Sequence, residues 1–454
     1  MPRRIDDLGD EVLGPADTGL PARAAGLTVR EFLATRPRLG EFWTPLTVLD
    51  AEAMRANAAT IQTWAESHGM ELMPHGKTTM SPALWHLQLD RGATGLTLAT
   101  PGQVRTARAF DVSSIMLANA LVAPPALAFI AGELADPDFS FRCWVDSVDT
   151  VEAMERGLAE AFEGTDAALP RRIDVLVELG APGGRTGARS IDAAVGLARR
   201  VADSPVLRLA GVTGYEGSLG HDRSPAALAA VRGYLADLVA LRDVLVDQGL
   251  LTLDASASDV IVSAGGSAYL DLVAEAFAPA IEADAAAGRR TRWILRSGAS
   301  LLHDHGFYRG ISPLDDLLEP AMRGYARVVS HPEPGLALLD GGKRDLPYDE
   351  GLPVPLGVAP TLRAAALGAA HLSDGAESGG DGARALPAAS VTALNDQHAY
   401  LRADDEGAHL PVAIGDVVAL GLSHPCTAFD KRRWLPVVER AGSDVVVDLV
   451  RTFF

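Results

Sequence analysis

Short apolar runs alternate with alanine-rich segments of helical pattern between residues 70 and 300 of this chain. Such alternation is typical of repeated βα units around a parallel sheet. Eight apolar runs occur, and they lie at 71–73, 95–98, 115–117, 141–145, 174–179, 209–213, 260–263 and 293–295. The helical segments lie at 51–67, 101–110, 148–162, 191–202, 225–248 and 270–287. Eight strands that alternate with helices over about 230 residues predict an α/β fold of the (β/α)8 or TIM barrel type.

A doubly wound parallel sheet is the structural alternative. That fold normally has fewer strands, and its glycine-rich turn follows the first strand. In this chain the glycine-rich turn, Ser263-Ala264-Gly265-Gly266-Ser267, follows the seventh run. Barrels often bind phosphate in the loops after strands seven and eight, so the position of this turn favours the barrel.

The helical rhythm stops at the end of the predicted barrel domain, 51–310. A second, β-rich domain is predicted over 311–454, from apolar runs at 326–329, 336–339, 417–420 and 444–450. Within it, Ala, Gly, Ser and Asp dominate 362–389, and we expect a flexible insertion there with no chemistry of its own. Residues 1–50 precede the barrel and end in a strand-like run at 46–49.

Composition and charge limit the class of protein. The chain has 454 residues, of which 48% are hydrophobic and 22% charged, as in an ordinary globular enzyme. Its net charge of −19 argues against a nucleic-acid partner, because phosphate contacts need clustered Lys and Arg. We find neither a secretory signal nor about 18 uninterrupted apolar residues, so we expect a cytoplasmic protein without a membrane partner. Two isolated cysteines, Cys143 and Cys426, form no disulfide framework and fit a reducing compartment.

Lys77 follows the first predicted strand, where an α/β enzyme displays reactive side chains. An amine there can form a Schiff base with an aldehyde cofactor if partial burial or a neighbouring cation favours its neutral form. His75, two residues away, can contribute to both effects. The Gly-Lys-Thr sequence is not a phosphate-binding loop, since that motif needs glycine where Glu71 stands. An ordinary surface lysine remains the alternative on this segment alone.

Polar side chains and glycines recur where the other predicted strands end. Any single glycine there is explained by a tight turn, and Arg185 or Tyr215 alone by a solvated or packing role. Together with Lys77, an anion-binding turn favours a phosphorylated aldehyde cofactor, with the next helix N-terminus helping to bind the phosphate. The segments concerned are Asn119, Glu178, 183–187, 214–217, 265–267 and 296–298.

A metal-binding pair is predicted at Ser423-His424-Pro425-Cys426, which follows a strand-like run. Residues i and i+2 of an extended chain project to one side, and proline favours that extended form in the residue before it. Imidazole with thiolate favours Zn²⁺ over Mg²⁺ or Ca²⁺, and two ligands suit an open site. A half-buried histidine beside a small apolar cysteine is the alternative. Further ligands or supporting groups are sought in two histidine clusters, His303-Asp304-His305 and Asp396-Gln397-His398.

Four segments, in this order, resemble the D-serine dehydratase and D-threonine aldolase group of pyridoxal 5′-phosphate enzymes. They are Pro74-His75-Gly76-Lys77-Thr78, Arg185-Thr186-Gly187, Val262-Ser263-Ala264-Gly265-Gly266-Ser267 and His424-Pro425-Cys426. The resemblance covers 44–436 and implies an alanine racemase-like fold. In that fold a (β/α)8 barrel carries the cofactor, and both chain ends, here including 1–50, build the β-rich domain. It also implies a homodimer with the active site near the domain and subunit boundary.

The resemblance also implies roles for individual residues. Lys77 would hold pyridoxal 5′-phosphate and move the Cα proton, with His75 beside it. Arg185 would lie near the phenolic oxygen of the cofactor, and Tyr215 would pack by its ring. The phosphate would be bound by Ser263, Gly265, Gly266 and Ser267. Zn²⁺ or another divalent metal would be held by His424 and Cys426.

Three departures from the group's pattern leave the substrate open. Thr79 and Met80 replace a His-Lys pair after the reactive lysine, and Ser300 replaces a tyrosine after the eighth strand. The segment Asp396-Gln397-His398 replaces a Glu-Glu-His type segment, which alters the charge near the metal.

The His-x-Cys pair resembles the dehydratase branch, because the aldolase branch more often pairs His with Asp. We therefore expect removal of water and then ammonia from D-serine or a related D-3-hydroxy amino acid. The alternatives are retro-aldol cleavage of D-threonine-like substrates, an amino acid racemase, and a pyridoxal phosphate-binding protein without catalysis.

Overall fold

The structure is a computed structural model that describes residues 4–163, 169–220, 222–252, 259–373, 382–386 and 388–454. Helices α1 to α10 span Val29–Ala34, Ala51–Ser67, Pro82–Leu89, Pro101–Ala109, Pro124–Glu133, Val148–Phe162, Ile191–Ala202, Pro225–Asp247, Leu270–Ala286 and Leu362–Ser373. Strands β1 to β9 span Leu46–Asp50, Glu71–Leu72, Leu96–Leu98, Ser114–Leu117, Ser140–Val145, Ile173–Leu179, Leu207–Gly214, Val260–Ala264 and Thr291–Leu295. Strands β10 to β18 span Met322–Glu333, Leu336–Leu339, Val354–Ala359, Arg384–Ala385, Ala389–Leu394, Ala399–Ala403, Val417–Gly421, Trp434–Val438 and Val446–Arg451.

Strands β2 to β9 form a parallel sheet in the order β2-β9-β8-β7-β6-β5-β4-β3. The sheet closes between its ends, where the Thr94 N–H donates to Leu72 O and the Thr97 N–H to Pro74 O, both at 2.9 Å. Helices lie between successive strands along the chain. The predicted (β/α)8 barrel is confirmed, and each of its eight predicted strands is present within one or two residues of its predicted bounds.

The barrel helices begin at local sequence signals. Helices α4, α6, α7 and α8 each follow a Ser or Thr whose side chain accepts the third helical N–H, at Thr100, Ser147, Ser190 and Ser224. Such caps satisfy backbone donors that have no partner within the helix. Helices α3 and α5 begin with proline, which suits the first helical turn because its missing N–H is not needed there.

The barrel interior is filled with side chains, so the polar groups of its upper rim rest on a packed floor. This inner cluster consists of Met73, Met116, Trp144, Leu176, Ala210, Ile261 and Ile294. A larger apolar layer separates the strands from the surrounding helices. The parallel strands are therefore buried on both faces, which explains why they read as unbroken apolar runs in the sequence.

The second domain is a mainly antiparallel sheet whose described strands follow the order β13-β12-β16-β10-β1-β17-β18. Strand β11 pairs with β10, β15 with β11, and β14 with β15. Strand β1 is fully buried and lies between β10, to which it is antiparallel, and β17, to which it is parallel. The segment before the barrel thus supplies a central strand to a sheet built otherwise from 322–451. The prediction that both chain ends form this domain is confirmed.

The prediction of a flexible insertion at 362–389 is wrong for residues 362–373. Leu362–Ser373 forms α10, and Leu362, Ala364 and Ala365 are buried against the second sheet. Alanine has the highest helix propensity, and its small side chain allows a helix to pack closely on a sheet. An alanine-rich segment can therefore have the composition of a low-complexity sequence and still fold as a helix. Residues 374–381 and 387 lie outside the described residues.

No helix in the described part of the chain combines the length and apolar character needed to cross a bilayer.

Candidate active site

A cavity of about 630 Å³ opens where the barrel strands end and the second domain begins. Barrel residues line most of it, while Glu350, His424 and Cys426 reach it from the second domain. Nine of the ten predicted site residues line this cavity: His75, Lys77, Arg185, Tyr215, Gly265, Gly266, Ser267, His424 and Cys426. Residues that are up to 351 positions apart in sequence therefore meet at one site.

Lys77 lies in a short 3₁₀ turn, Gly76–Thr78, after β2. The Trp85 indole N–H donates to the Gly76 carbonyl at 2.9 Å and anchors this turn on α3. A Cβ on Gly76 would lie 2.9 Å from the same indole nitrogen, so only glycine allows this close approach. On its other side, Gly298 packs against the turn, since a Cβ there would lie 2.6 Å from the carbonyl oxygen of His75. The lysine is thus displayed from a backbone that its neighbours hold in place.

His75 stays neutral at the floor of the cavity. Burial lowers the pKa of its imidazole well below the ordinary value, and the cations Lys77, Arg296 and Arg185 lower it further. Its Nδ1 atom is buried and has no hydrogen-bond partner among the described residues. A buried polar atom without a partner is costly, so Nδ1 is available to a bound molecule.

Arg185 and Tyr215 form one wall of the site, with the guanidinium 5.1 Å from the centre of the phenol ring. Arg189 fixes the loop that carries Arg185, because it donates to the carbonyl oxygens of Ala181 and Thr186 at 3.0 and 3.1 Å. Burial, with the charge of Glu216, raises the pKa of Tyr215 to about 12, so its hydroxyl keeps its proton. The wall therefore presents one cation and one neutral phenol.

The glycine turn after β8 binds an anion supplied by the protein itself. The N–H groups of Gly265 and Gly266 donate to the two carboxylate oxygens of Glu216, at 2.9 and 2.8 Å. Gly265 has a φ of +97°, and a Cβ there would lie 2.3 Å from Leu295 Cδ1. The turn therefore requires glycine, and its two donors are already engaged by a buried carboxylate. That Gly265 and Gly266 bind phosphate stays a prediction.

Ser267 and Ser263 have different surroundings. The Ser267 hydroxyl lies at the cavity, 2.9 Å from the Ser297 hydroxyl, and it accepts the Ala299 N–H at 3.2 Å. Ser263, predicted as a phosphate ligand, is fully buried and is not among the described lining residues. Its hydroxyl accepts a 2.6 Å hydrogen bond from Arg296 and donates to the Ile294 carbonyl, because its strand position directs it between β8 and β9.

Arg296 is a further cation that lines the cavity, at the end of the last barrel strand. It is buried, donates to the Gly214 carbonyl at 2.6 Å, and lies 5.0 Å from the centre of the Trp144 ring. Its donors are thereby used to join β7, β8 and β9 beneath the cavity. The guanidinium contributes positive charge at the floor of the site.

His424 and Cys426 lie together at the domain boundary. The His424 backbone is extended, with φ of −153° and ψ of 112°, and its Nδ1 lies 2.7 Å from the Asp349 carboxylate. Burial disfavours the charged ring, but Cys426 and Asp349 together raise the pKa of His424 to about 9. Burial likewise opposes ionisation of Cys426, yet His424 and the Thr78 hydroxyl, 3.4 Å from its sulfur, lower the pKa of that thiol.

This pair fits a metal ion as an open site. Because Asp349 holds Nδ1 of His424, the Nε2 atom is left for coordination, and a carboxylate behind a ligating histidine is the usual supporting contact. In the described ranges, no three or more His, Cys, Asp or Glu side chains are arranged as a metal site. His303 is paired with Asp315 instead, at 2.8 Å, and His398 is exposed. Water or substrate would complete the coordination.

Several residues that line the cavity or support its lining were not found from the sequence, although each has a clear contact here. Glu216 directly follows Tyr215 and engages the glycine turn, while Asp349 lies 75 residues from the histidine that it supports. Thr78 contacts Cys426, and Phe307 and Tyr308 enter the cavity from the loop after β9. Only Glu216 had a local signal, a carboxylate at the end of a barrel strand.

Comparisons with known proteins agree with this architecture. The family described as "Putative serine dehydratase domain" matches residues 321–438. D-threonine aldolase of Arthrobacter sp. is 28% identical over 397 residues, covering 87% of this chain and 89% of that protein. D-threo-3-hydroxyaspartate dehydratase of Delftia sp. (strain HT23) is 30% identical over 192 residues, covering 41% and 47%.

The solved structures show the same fold. D-threonine aldolase from Filomicrobium marinum superposes with a TM-score of 0.68 at 23% identity, over 97% of this chain and 98% of that one. An alanine racemase-like protein from Idiomarina loihiensis gives 0.67 at 17% identity, over 91% and 98%. The chain is therefore similar to D-amino acid lyases such as D-threonine aldolase and D-threo-3-hydroxyaspartate dehydratase, and it has an alanine racemase-like fold.

Proposed function

We propose that this chain is a pyridoxal 5′-phosphate enzyme that uses Zn²⁺ or another divalent metal to remove water, and then ammonia, from D-serine or a related D-3-hydroxy amino acid. The observation that carries the proposal is the meeting of Lys77 with the His424–Cys426 pair in one cavity of about 630 Å³. A primary amine, an anion-binding rim and a metal pair are the groups that such a reaction needs.

The cavity fits a phosphorylated aldehyde on physical grounds. His75, with its unpartnered Nδ1, lines the same cavity as Lys77, as do Arg185 and Ser267. Cations are suited to a phenolate and a phosphate, and Tyr215 offers an aromatic surface to a pyridine ring. When bound, pyridoxal 5′-phosphate supplies an electron sink for the charge left at Cα.

The protein groups have separate tasks in this proposal. Lys77 holds the cofactor and moves the Cα proton at its Nζ atom. His75 stays neutral beside it, since an imidazolium there would repel the lysine, and Tyr215 keeps its proton and packs by the ring. His424 and Cys426 would hold the metal, which would supply the Lewis acidity that makes a β-hydroxyl a better leaving group.

The pairing of histidine with cysteine supports dehydration. Among the similar solved structures is a cysteine-to-alanine variant of D-threo-3-hydroxyaspartate dehydratase in its metal-free form, at 22% identity and a TM-score of 0.68. That structure combines the loss of a cysteine with the absence of metal, and in this chain Cys426 lies at the cavity beside His424. This agreement favours elimination from the β-carbon.

Retro-aldol cleavage of a D-threonine-like substrate is the second candidate, and a specific observation favours it. The similarity to D-threonine aldolase spans 87% of this chain, whereas that to the dehydratase spans 41%. The Lewis acidity that a metal would supply at His424 and Cys426 could also acidify a β-hydroxyl, which would assist breakage of the Cα–Cβ bond. The same arrangement of residues thus serves either reaction.

Product analysis separates the two reactions. The purified protein, loaded with cofactor and metal, is offered D-serine and D-threonine, each with and without a chelator. Our proposal predicts pyruvate and ammonia from D-serine and their loss after chelation. Glycine and acetaldehyde from D-threonine, without pyruvate from D-serine, would establish the aldolase instead. Activity that survives thorough metal removal would refute the role given to His424 and Cys426.

We also propose a cytoplasmic homodimer with a small-molecule amino acid substrate and no nucleic-acid partner. The cavity at the domain boundary supports an active site close to a second subunit. Light scattering coupled to size-exclusion chromatography tests this state, with twice the chain mass of 47.5 kDa as the expected result. A monomer that is fully active would contradict it.

A further inference from the structure

Tyr308 enters the cavity from the loop that follows the last barrel strand, and neither the sequence motifs nor the proposed reaction uses it. Its side chain lines the cavity together with that of Ser267, and the two are close enough to interact. Tyr215 and Cys426 are also close enough to interact with it electrostatically. The phenol therefore lies between the polar rim of the barrel and the metal pair.

The backbone around Tyr308 is held firmly. Asp304, which is fully buried, accepts the N–H groups of Gly306 and Tyr308, both at 2.9 Å. The Phe307 N–H donates to the Ser423 carbonyl at 3.1 Å, directly before the metal pair. The Phe307 ring packs edge-on against Tyr308, with centres 4.9 Å apart. These contacts fix where the phenol is presented.

Ser300 does not reach the cavity position that Tyr308 occupies. It is buried, it is not among the described lining residues, and its hydroxyl contacts Ser297. Ser297 in turn contacts Ser267, so a chain of hydroxyl groups runs from Ser300 to the rim of the cavity. Tyr308 reaches the cavity end of this chain. Tyr308, eight residues after Ser300 in sequence, thus brings a phenol close to Ser267.

We propose that Tyr308 is a further cofactor-binding residue, whose hydroxyl donates a hydrogen bond to the phosphate group beside Ser267. This inference rests on the proposed function, since it assumes that pyridoxal 5′-phosphate occupies the cavity. A chemical reason supports the phosphate end of the cofactor as the partner of Tyr308. The Gly265 and Gly266 N–H groups are engaged by Glu216, so the rim needs other donors, and a phenol is a donor that reaches over the turn from outside the barrel.

A comparison of two ligands tests this role. Pyridoxal 5′-phosphate and pyridoxal, which lacks the phosphate, are titrated into cofactor-free protein, and binding is followed by visible absorbance. A hydrogen bond to a charged group is worth enough to change affinity about tenfold or more. We expect Tyr308→Phe to raise the dissociation constant of pyridoxal 5′-phosphate by about that factor and to leave that of pyridoxal unchanged. Tyr400→Phe, remote on β15, is the matched control.

A double-mutant cycle with Ser267→Ala adds a second measurement. If both hydroxyls act on one phosphate, the double variant loses less affinity than the sum of the single losses. Equal affinity of Tyr308→Phe and the wild type for pyridoxal 5′-phosphate would overturn the inference. So would an equal loss for pyridoxal, because that result places the hydroxyl away from the phosphate. If the wild type binds neither pyridoxal 5′-phosphate nor pyridoxal, that result refutes the proposed function rather than the role of Tyr308.

Discussion

Asp304 provides a quantitative test of how the loop that carries Tyr308 is held. Its side chain is fully buried, and Oδ2 has no hydrogen-bond partner in the described part of the chain. Burial outweighs the N–H groups that Oδ1 accepts and raises the pKa of Asp304 from 3.8 to about 7. The perturbation is Asp304→Asn, which keeps an oxygen acceptor for Gly306 and Tyr308 but cannot ionise.

The sign and size of the expected change in the free energy of unfolding follow from proton linkage. A carboxyl whose pKa is higher in the folded state binds its proton more tightly there, so stability falls as pH rises from about 4 to about 7. About 3 pKa units correspond to about 4 kcal/mol in total, because each unit is worth 1.36 kcal/mol. Between pH 5 and pH 8 the same relation gives about 3 kcal/mol. Asp304→Asn removes this component while other titrating groups remain.

The assay is urea denaturation of wild type and Asp304→Asn at pH 5 and pH 8, with metal and cofactor removed. We expect the difference in free energy of unfolding to move by about 3 kcal/mol in favour of the variant as pH rises. Asn at this position also contributes unpaired N–H groups, but that cost is equal at both pH values. An unchanged difference would show that Asp304 ionises in the folded state as it does in water.

Two further substitutions test the site. Cys426→Ser removes the thiolate, so we expect metal content measured by atomic emission after dialysis to fall to about a tenth or less, whereas Cys143→Ala, in the barrel core, retains it. Equal metal contents would exclude Cys426 as a ligand. Gly298→Ala places a Cβ 2.6 Å from the His75 carbonyl oxygen and must displace the lysine turn, so visible cofactor absorbance should fall. Gly132→Ala has nothing within 4 Å and should leave the spectrum intact; equal spectra for both variants would contradict the packing argument.

The barrel could be predicted from sequence because its information is local. Each parallel strand is covered on both faces, so it appears as a short apolar run, and the helices between them carry their own caps. The helix Leu362–Ser373 could not be predicted from its alanine-rich composition, because composition alone does not reveal the surface on which a helix packs. This helix depends on the second sheet, whose strands come from distant parts of the chain.

The site was predictable to the extent that its residues follow strands. Lys77, Tyr215 and the glycine turn lie at strand ends, and the ends of parallel strands necessarily meet. The contact of His424 with Asp349 joins two segments of the second domain that are 75 residues apart in sequence, and no local pattern specifies it. The engagement of the glycine turn by Glu216 is likewise a three-dimensional fact, since 49 residues separate the partners.

The central claim is that Lys77 carries the cofactor, and reductive trapping tests it most directly. The protein is incubated with pyridoxal 5′-phosphate, reduced with borohydride, digested and examined by mass spectrometry. We predict a cofactor adduct on the peptide that contains Lys77 and its complete loss, together with the visible absorbance, in Lys77→Ala. Lys343→Ala, remote from the described cavity lining, should retain both. An adduct on another lysine, or an unchanged spectrum in Lys77→Ala, would contradict the account.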